Sequence, residues 1–221
     1  MRAAGDFLRL PALLLLAAQL VSCTALRVVT HETDVNPVNA PAGTYRLDPR
    51  HWSVSFDVEH LGYARFVMRF DRVRATLDAV PAAPEKSRVT ASSEAASIDT
   101  NVPELDRLVA GPDMLDAARH PEIRFESRNI RRTGARTGEM TGDLTIGGRT
   151  RPVTLAVTFN GSAPNPLTGA DVLGFSAQGR LDRSAWGLNA WWPAVGNEVR
   201  VRIEAEFVRP RNLRGQGDIP D

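Results

Sequence analysis

Val199-Arg200-Val201-Arg202-Ile203-Glu204-Ala205-Glu206-Phe207 changes between apolar and charged residues at every step. In an extended chain, a period of two sends the five apolar side chains to one face and the four charges to the other. A helix would scatter them round its axis, so the stretch predicts a half-buried β-strand. The pattern recurs upstream. Val54, Phe56 and Val58 alternate with Ser55 and Asp57, and Phe66, Met68 and Phe70 alternate with Arg65 and Arg69. Val153, Leu155, Val157 and Phe159 alternate with Thr154 and Thr158, and Leu173, Phe175, Ala177 and Leu181 with Ser176, Gln178, Arg180 and Asp182. About eight such stretches lie between Thr44 and Val208. Strands that share one apolar face must bury it against each other, and a closed antiparallel barrel does so without leaving sheet edges. With about eight strands the interior is just wide enough to be filled by side chains or to hold one small ligand. The expected fold is therefore all-β, an eight-stranded antiparallel barrel.

Strand candidates fall near 52–60, 64–71, 73–79, 88–99, 121–131, 138–147, 150–160, 171–183 and 197–208. They make eight or nine strands, because the second can also be read as partly helical. Gly142, Gly174 and Gly179 sit inside strand patterns, where a barrel needs bends or bulges. From Val102 to Ala118 the period changes. Val102, Leu105, Leu108 and Val109, then Met114 and Leu115, fit one or two short helical turns broken at Gly111-Pro112, with Asn101 as the expected N-cap.

The first 22 residues have the form of a secretory signal: Arg2 and Arg9 precede an apolar run from Leu10 to Leu20 that is too short to span a membrane as a helix. The run ends in Leu20-Val21-Ser22-Cys23, and Cys23 is the chain's one cysteine. This resembles a bacterial lipoprotein signal, which implies lipidation of Cys23 and a membrane anchor. An ordinary signal peptide cleaved after Ala25 is the alternative. Thr24, and no aspartate, follows the cysteine, a pattern that in a diderm cell implies the outer membrane, facing the periplasm. The organisation expected is a signal peptide over 1–22, a flexible tether over 23–43, a barrel over 44–208 and a disordered tail over 209–221.

The formal net charge is +1, and cleavage before Cys23 leaves the mature chain neutral. Neither value supports binding to nucleic acid. A disulfide within the chain is excluded by the cysteine count. His31, His51, His60 and His120 show no spacing of a metal motif, so no metal is expected. Gly174-Phe175-Ser176-Ala177-Gln178 comes nearest to a nucleophile elbow, but it ends in Gln178 and lies within a strand pattern. Nothing in the sequence forms a catalytic constellation, and no cofactor is expected.

Tyr45-Arg46-Leu47-Asp48 with His51, then Val54-Ser55-Phe56-Asp57-Val58-Glu59-His60-Leu61-Gly62, is similar to the opening of the YceI-like polyisoprenoid-binding proteins. The similarity continues through Ala96-Ser97-Ile98-Asp99-Thr100, His120-Pro121, Phe125-Glu126-Ser127 and Gly142-Asp143-Leu144-Thr145-Ile146-Gly147-Gly148. It closes with Phe159-Asn160-Gly161, Gly174-Phe175-Ser176-Ala177 and Asp182-Arg183-Ser184-Ala185-Trp186-Gly187. The resemblance implies a lipocalin-like barrel in the cell envelope whose apolar interior takes up a long isoprenoid lipid, such as a quinone or a polyprenyl derivative. It also admits a homodimer, although no surface patch in the sequence demands one. The helical segment and Trp191-Trp192 depart from the family pattern.

Phe56, Phe66, Met68, Phe125, Leu144, Leu155, Val157, Phe159, Phe175 and Leu181 are the expected lumen residues, with Trp186 grouped among them or plugging one end. Alternation alone leaves open whether these side chains touch a ligand or merely fill a core. A self-filled barrel serving as a structural or interaction module is the rival reading. Arg183 and Asp182 are expected to form an ion pair, or to address a ligand's head group.

Overall fold

The computed structural model describes residues 28–209. The signal segment, Cys23 and the tail from 210 onward lie outside the described residues. The strands are β1 (Gly43–His60), β2 (Ala64–Phe70), β3 (Val73–Ala79), β4 (Arg88–Glu94), β5 (Ile98–Asp99), β6 (Glu122–Arg132), β7 (Thr137–Ile146), β8 (Arg149–Pro164), β9 (Asp171–Asp182) and β10 (Val195–Arg209). One helix, α1 (Pro103–Ala110), lies between β5 and β6.

These ten segments fill eight barrel positions. β2 pairs with the Ser55–His60 half of β1 and β3 with its Gly43–Arg46 half, so together they form one strand interrupted at Asp71-Arg72. β4 pairs with β3 and β5 with β2, in the same broken fashion. Ser97 holds the interruption: its Oγ accepts from the Arg72 N–H at 3.1 Å and donates to the Glu94 carbonyl at 2.7 Å. β10 pairs with both β9 and β1, and this closes the ring. The region 64–70, open to a helical reading, is strand throughout, because Phe66 and Met68 join the inward face opposite Val58 and Phe56.

Gly142 shows why a glycine is needed within a strand. A Cβ there would lie 2.5 Å from the Phe125 ring, so its absence lets that ring turn inward.

Buried apolar side chains gather into two clusters inside the barrel. Val58, Met68, Phe70, Ile146, Trp186 and Val199 form one cluster, covered by Val109 of α1 and by Leu115. Tyr45, Leu77, Phe159, Leu173 and Phe207 form the other.

Three expectations at the margins change. Asn101 does not cap α1; it has a φ of 60°, which asparagine tolerates, and Val102 stands at the cap without a side-chain bond. Pro103 at the first turn removes one N–H that would need a cap, and the Asp106 carboxylate instead accepts from the Thr100 N–H at 2.7 Å and its hydroxyl at 2.6 Å. The supposed tether is partly docked: Asp34 exchanges two backbone hydrogen bonds with Ser162, and Ala40 is buried against the Tyr45 cluster. A single bridge and one short turn leave no periodic trace in the sequence. Arg209, assigned to the tail, ends β10, bonds Asp171 at 2.7 Å and lies over the Tyr45 ring at 5.0 Å.

Candidate functional site

The barrel holds a cavity of about 890 Å³. This is near the top of the range of roughly 300–1,000 Å³ for small-molecule sites. Its lining reaches from Pro37 and Ala40 at one end to Leu108 and Trp191 at the other, so the cavity runs the length of the barrel.

The strand register shows which side chains border the middle of the cavity. Val54 of β1 pairs with Ile203 of β10, Ile203 with Ala177 of β9, and Ala177 with Val157 of β8. These four stand side by side on adjacent strands and point inward as a belt. They are only half-buried, although they face away from the outer surface, because their free area borders the cavity. Toward the ends, larger rings pack against each other. Phe56 stacks on Phe70 with centroids 5.3 Å apart, and Phe175 meets Phe159 and Phe207 edge-on at 5.4 and 6.1 Å.

Phe56, Phe66, Met68, Phe125, Leu144, Leu155, Val157, Phe159, Phe175 and Leu181 all line the cavity. Trp186 does not. It sits in a 3-10 turn (Arg183–Trp186), is 4% exposed and donates its indole N–H to the Leu144 carbonyl at 3.1 Å. It is a plug of the helix-covered end, because the turn takes it off the strand's alternation. Val54, Ala177, Val201 and Ile203 also line the cavity and had the same alternation to recommend them. Leu105, Leu108 and Val109 reach it from α1, which no strand pattern could have indicated.

Arg183 and Asp182 play separate parts, contrary to the expected ion pair. Asp182 accepts from the Ser184 N–H at 2.9 Å and from its hydroxyl at 2.6 Å; these bonds hold the carboxyl below its usual range. The Arg183 side chain is buried, and its three nitrogens donate to the backbone carbonyls of Gly196 at 3.0 Å, Val195 at 2.8 Å and Leu188. It thereby fixes the loop between β9 and β10 that carries Trp191 and Trp192. Of those two, Trp191 lines the cavity, whereas Trp192 is 61% exposed and turned away. At the opposite end Tyr45 is fully buried and donates to the Pro41 carbonyl at 2.8 Å, and burial raises its pKa. A long surface made almost wholly of carbon atoms is suited to binding an elongated apolar molecule.

A family model described as the YceI-like domain matches residues 45–207. A UPF0312 protein of Pseudomonas savastanoi pv. phaseolicola is 34% identical over 156 residues, covering 70% of this chain and 81% of the relative. Among solved structures, BcnA of Burkholderia cenocepacia superposes with a TM-score of 0.66 at 24% identity, over 72% of this chain and 98% of its own. A polyisoprenoid binding domain from Saccharophagus degradans shares the fold, with a TM-score of 0.58 at 9% identity, over 77% of this chain and all of its own.

Proposed function

The chain belongs to the YceI-like family, and on that footing we propose that it binds a long-chain isoprenoid lipid in the barrel lumen without chemical conversion. The observation that carries this reading is the continuous apolar cavity of about 890 Å³ along the barrel. A tail of eight isoprene units has on the order of forty carbons, and at about 0.8 kcal/mol per methylene its exposure to water costs roughly 30 kcal/mol. Such a chain cannot cross an aqueous space unaided. A methyl-branched chain offers no directional hydrogen bonds, so the lumen would select it by width and length, with Met68 adapting to the uneven outline. The polyisoprenoid binding domain among the structural neighbours is consistent with this ligand class.

In this reading the head group is that of a quinone or a polyprenyl derivative, and the protein works in the cell envelope, tethered through a lipidated Cys23. A self-filled barrel, the rival reading, is opposed by the same cavity. The test is mass spectrometry of an organic extract from full-length protein purified out of its native membrane fraction. A polyprenyl compound near one equivalent per chain is expected; protein that is folded and free of any such compound would overturn the proposal.

A further inference from the structure

We propose that Asp48, His51 and Glu206, on the outer wall of the barrel, bind a divalent transition-metal ion of the Zn²⁺ class. The site is independent of the lumen and arises from an irregularity in the seam between the first and last strands. Pairing of β1 with β10 runs from Leu47 opposite Phe207 directly to Trp52 opposite Ala205. Four residues of β1, Asp48 to His51, therefore stand opposite Glu206 alone, and the bulge folds Asp48 and His51 round its carboxylate.

The imidazole Nδ1 lies 3.3 Å from Asp48 Oδ2 and 3.7 Å from Glu206 Oε2. One donor atom from each residue falls within 4.8 Å of the other two. Zinc bonds of about 2.0–2.1 Å in a tetrahedron place ligand atoms about 3.3 Å apart, so two edges of the triangle are close to the required length. The His51 and Glu206 side chains are 55% and 45% exposed and can close the rest without disturbing the core. Asp48 is already oriented. Its Oδ1 accepts from the Arg50 N–H at 2.8 Å, which leaves Oδ2 facing the imidazole.

The donor set selects the ion. Magnesium and calcium prefer oxygen throughout, whereas one imidazole and two carboxylates suit zinc and its neighbours. Three protein ligands leave a fourth position for water. An ion held here would staple β1 to β10 where the barrel closes.

The test is calorimetric titration of ZnCl₂ into the full chain after chelator treatment, with thermal unfolding measured in parallel and MgCl₂ as a control. One saturable equivalent is expected, and a rise in midpoint of about 5–10 °C at a hundred times the dissociation constant. His51→Ala and Glu206→Gln should each weaken binding at least tenfold, while Glu85→Gln, on a distant turn, leaves it unchanged. The metal-free midpoints of the two site variants should match the parent's, which separates lost ligation from lost folding. Absence of saturable binding, equal binding of Mg²⁺, or zinc binding that survives both site variants would overturn the assignment.

Discussion

The middle of the barrel and its helix-covered end are walls of the same alternating strands, yet connections narrow the end. At the end, the connections supply what the strands lack: α1 brings Val109, and the turn after β9 brings Trp186. In the middle the belt of Val54, Ile203, Ala177 and Val157, neighbours on adjacent strands, borders the cavity directly. Inward alternation thus makes a core only where something fills the axis; elsewhere it makes a container.

The largest effect that would test this contrast is at the plug. Trp186→Ala should cost about 3–5 kcal/mol in urea unfolding, because a buried ring and its bond to the Leu144 carbonyl are both lost. A cost below 1 kcal/mol would mean that this end is not packed. Arg183→Met should cost about 1–3 kcal/mol in the same measurement, since it strands the carbonyls of Leu188, Val195 and Gly196. It should also loosen the Trp191 loop, read as faster hydrogen exchange at the Val195 amide.

Enlarging side chains separates the two regions further. Ala95→Leu, at a side chain 1% exposed and off the cavity, should cost about 1–3 kcal/mol through overpacking. Ala177→Phe faces open space and should change stability by less than about 1 kcal/mol, while lowering retained lipid at least tenfold. Equal costs at both positions would erase the distinction.

The smallest effect is on pH dependence. The Asp182 carboxyl is held below its usual range by Ser184, so its contribution to stability is present at neutral pH. That contribution is lost as pH falls through the depressed value. Asp182→Asn should therefore flatten the acid side of the stability curve below about pH 4, with no change in its shape above pH 6. An unchanged acid limb would remove Asp182 from the account.

The strands and their inward faces were legible because a period of two survives in residues such as Val199 to Phe207. For the same reason, ten of the eleven side chains named for the lumen do line it. Trp186 was grouped with them because nothing in Arg183-Ser184-Ala185-Trp186 marks where the strand gives way to a turn. Emptiness itself is not legible, since a filled and a hollow barrel alternate alike; the cavity shows it. The Asp48–His51–Glu206 cluster was hidden too. It joins residues more than 150 positions apart through a bulge that only the β1–β10 pairing discloses. The docking of Asp34 through Ala40 rests on one bridge and one turn, too little to rise above the irregular sequence around it.

The central claim, that the lumen is a container matched to an extended prenyl chain, is tested most directly by native mass spectrometry across prenyl alcohols of increasing length. Affinity should climb with each added isoprene unit and then level off once the tunnel is full, and Ala177→Phe should move that plateau to shorter chains. Binding that does not depend on chain length, or no retention at any length, would contradict it.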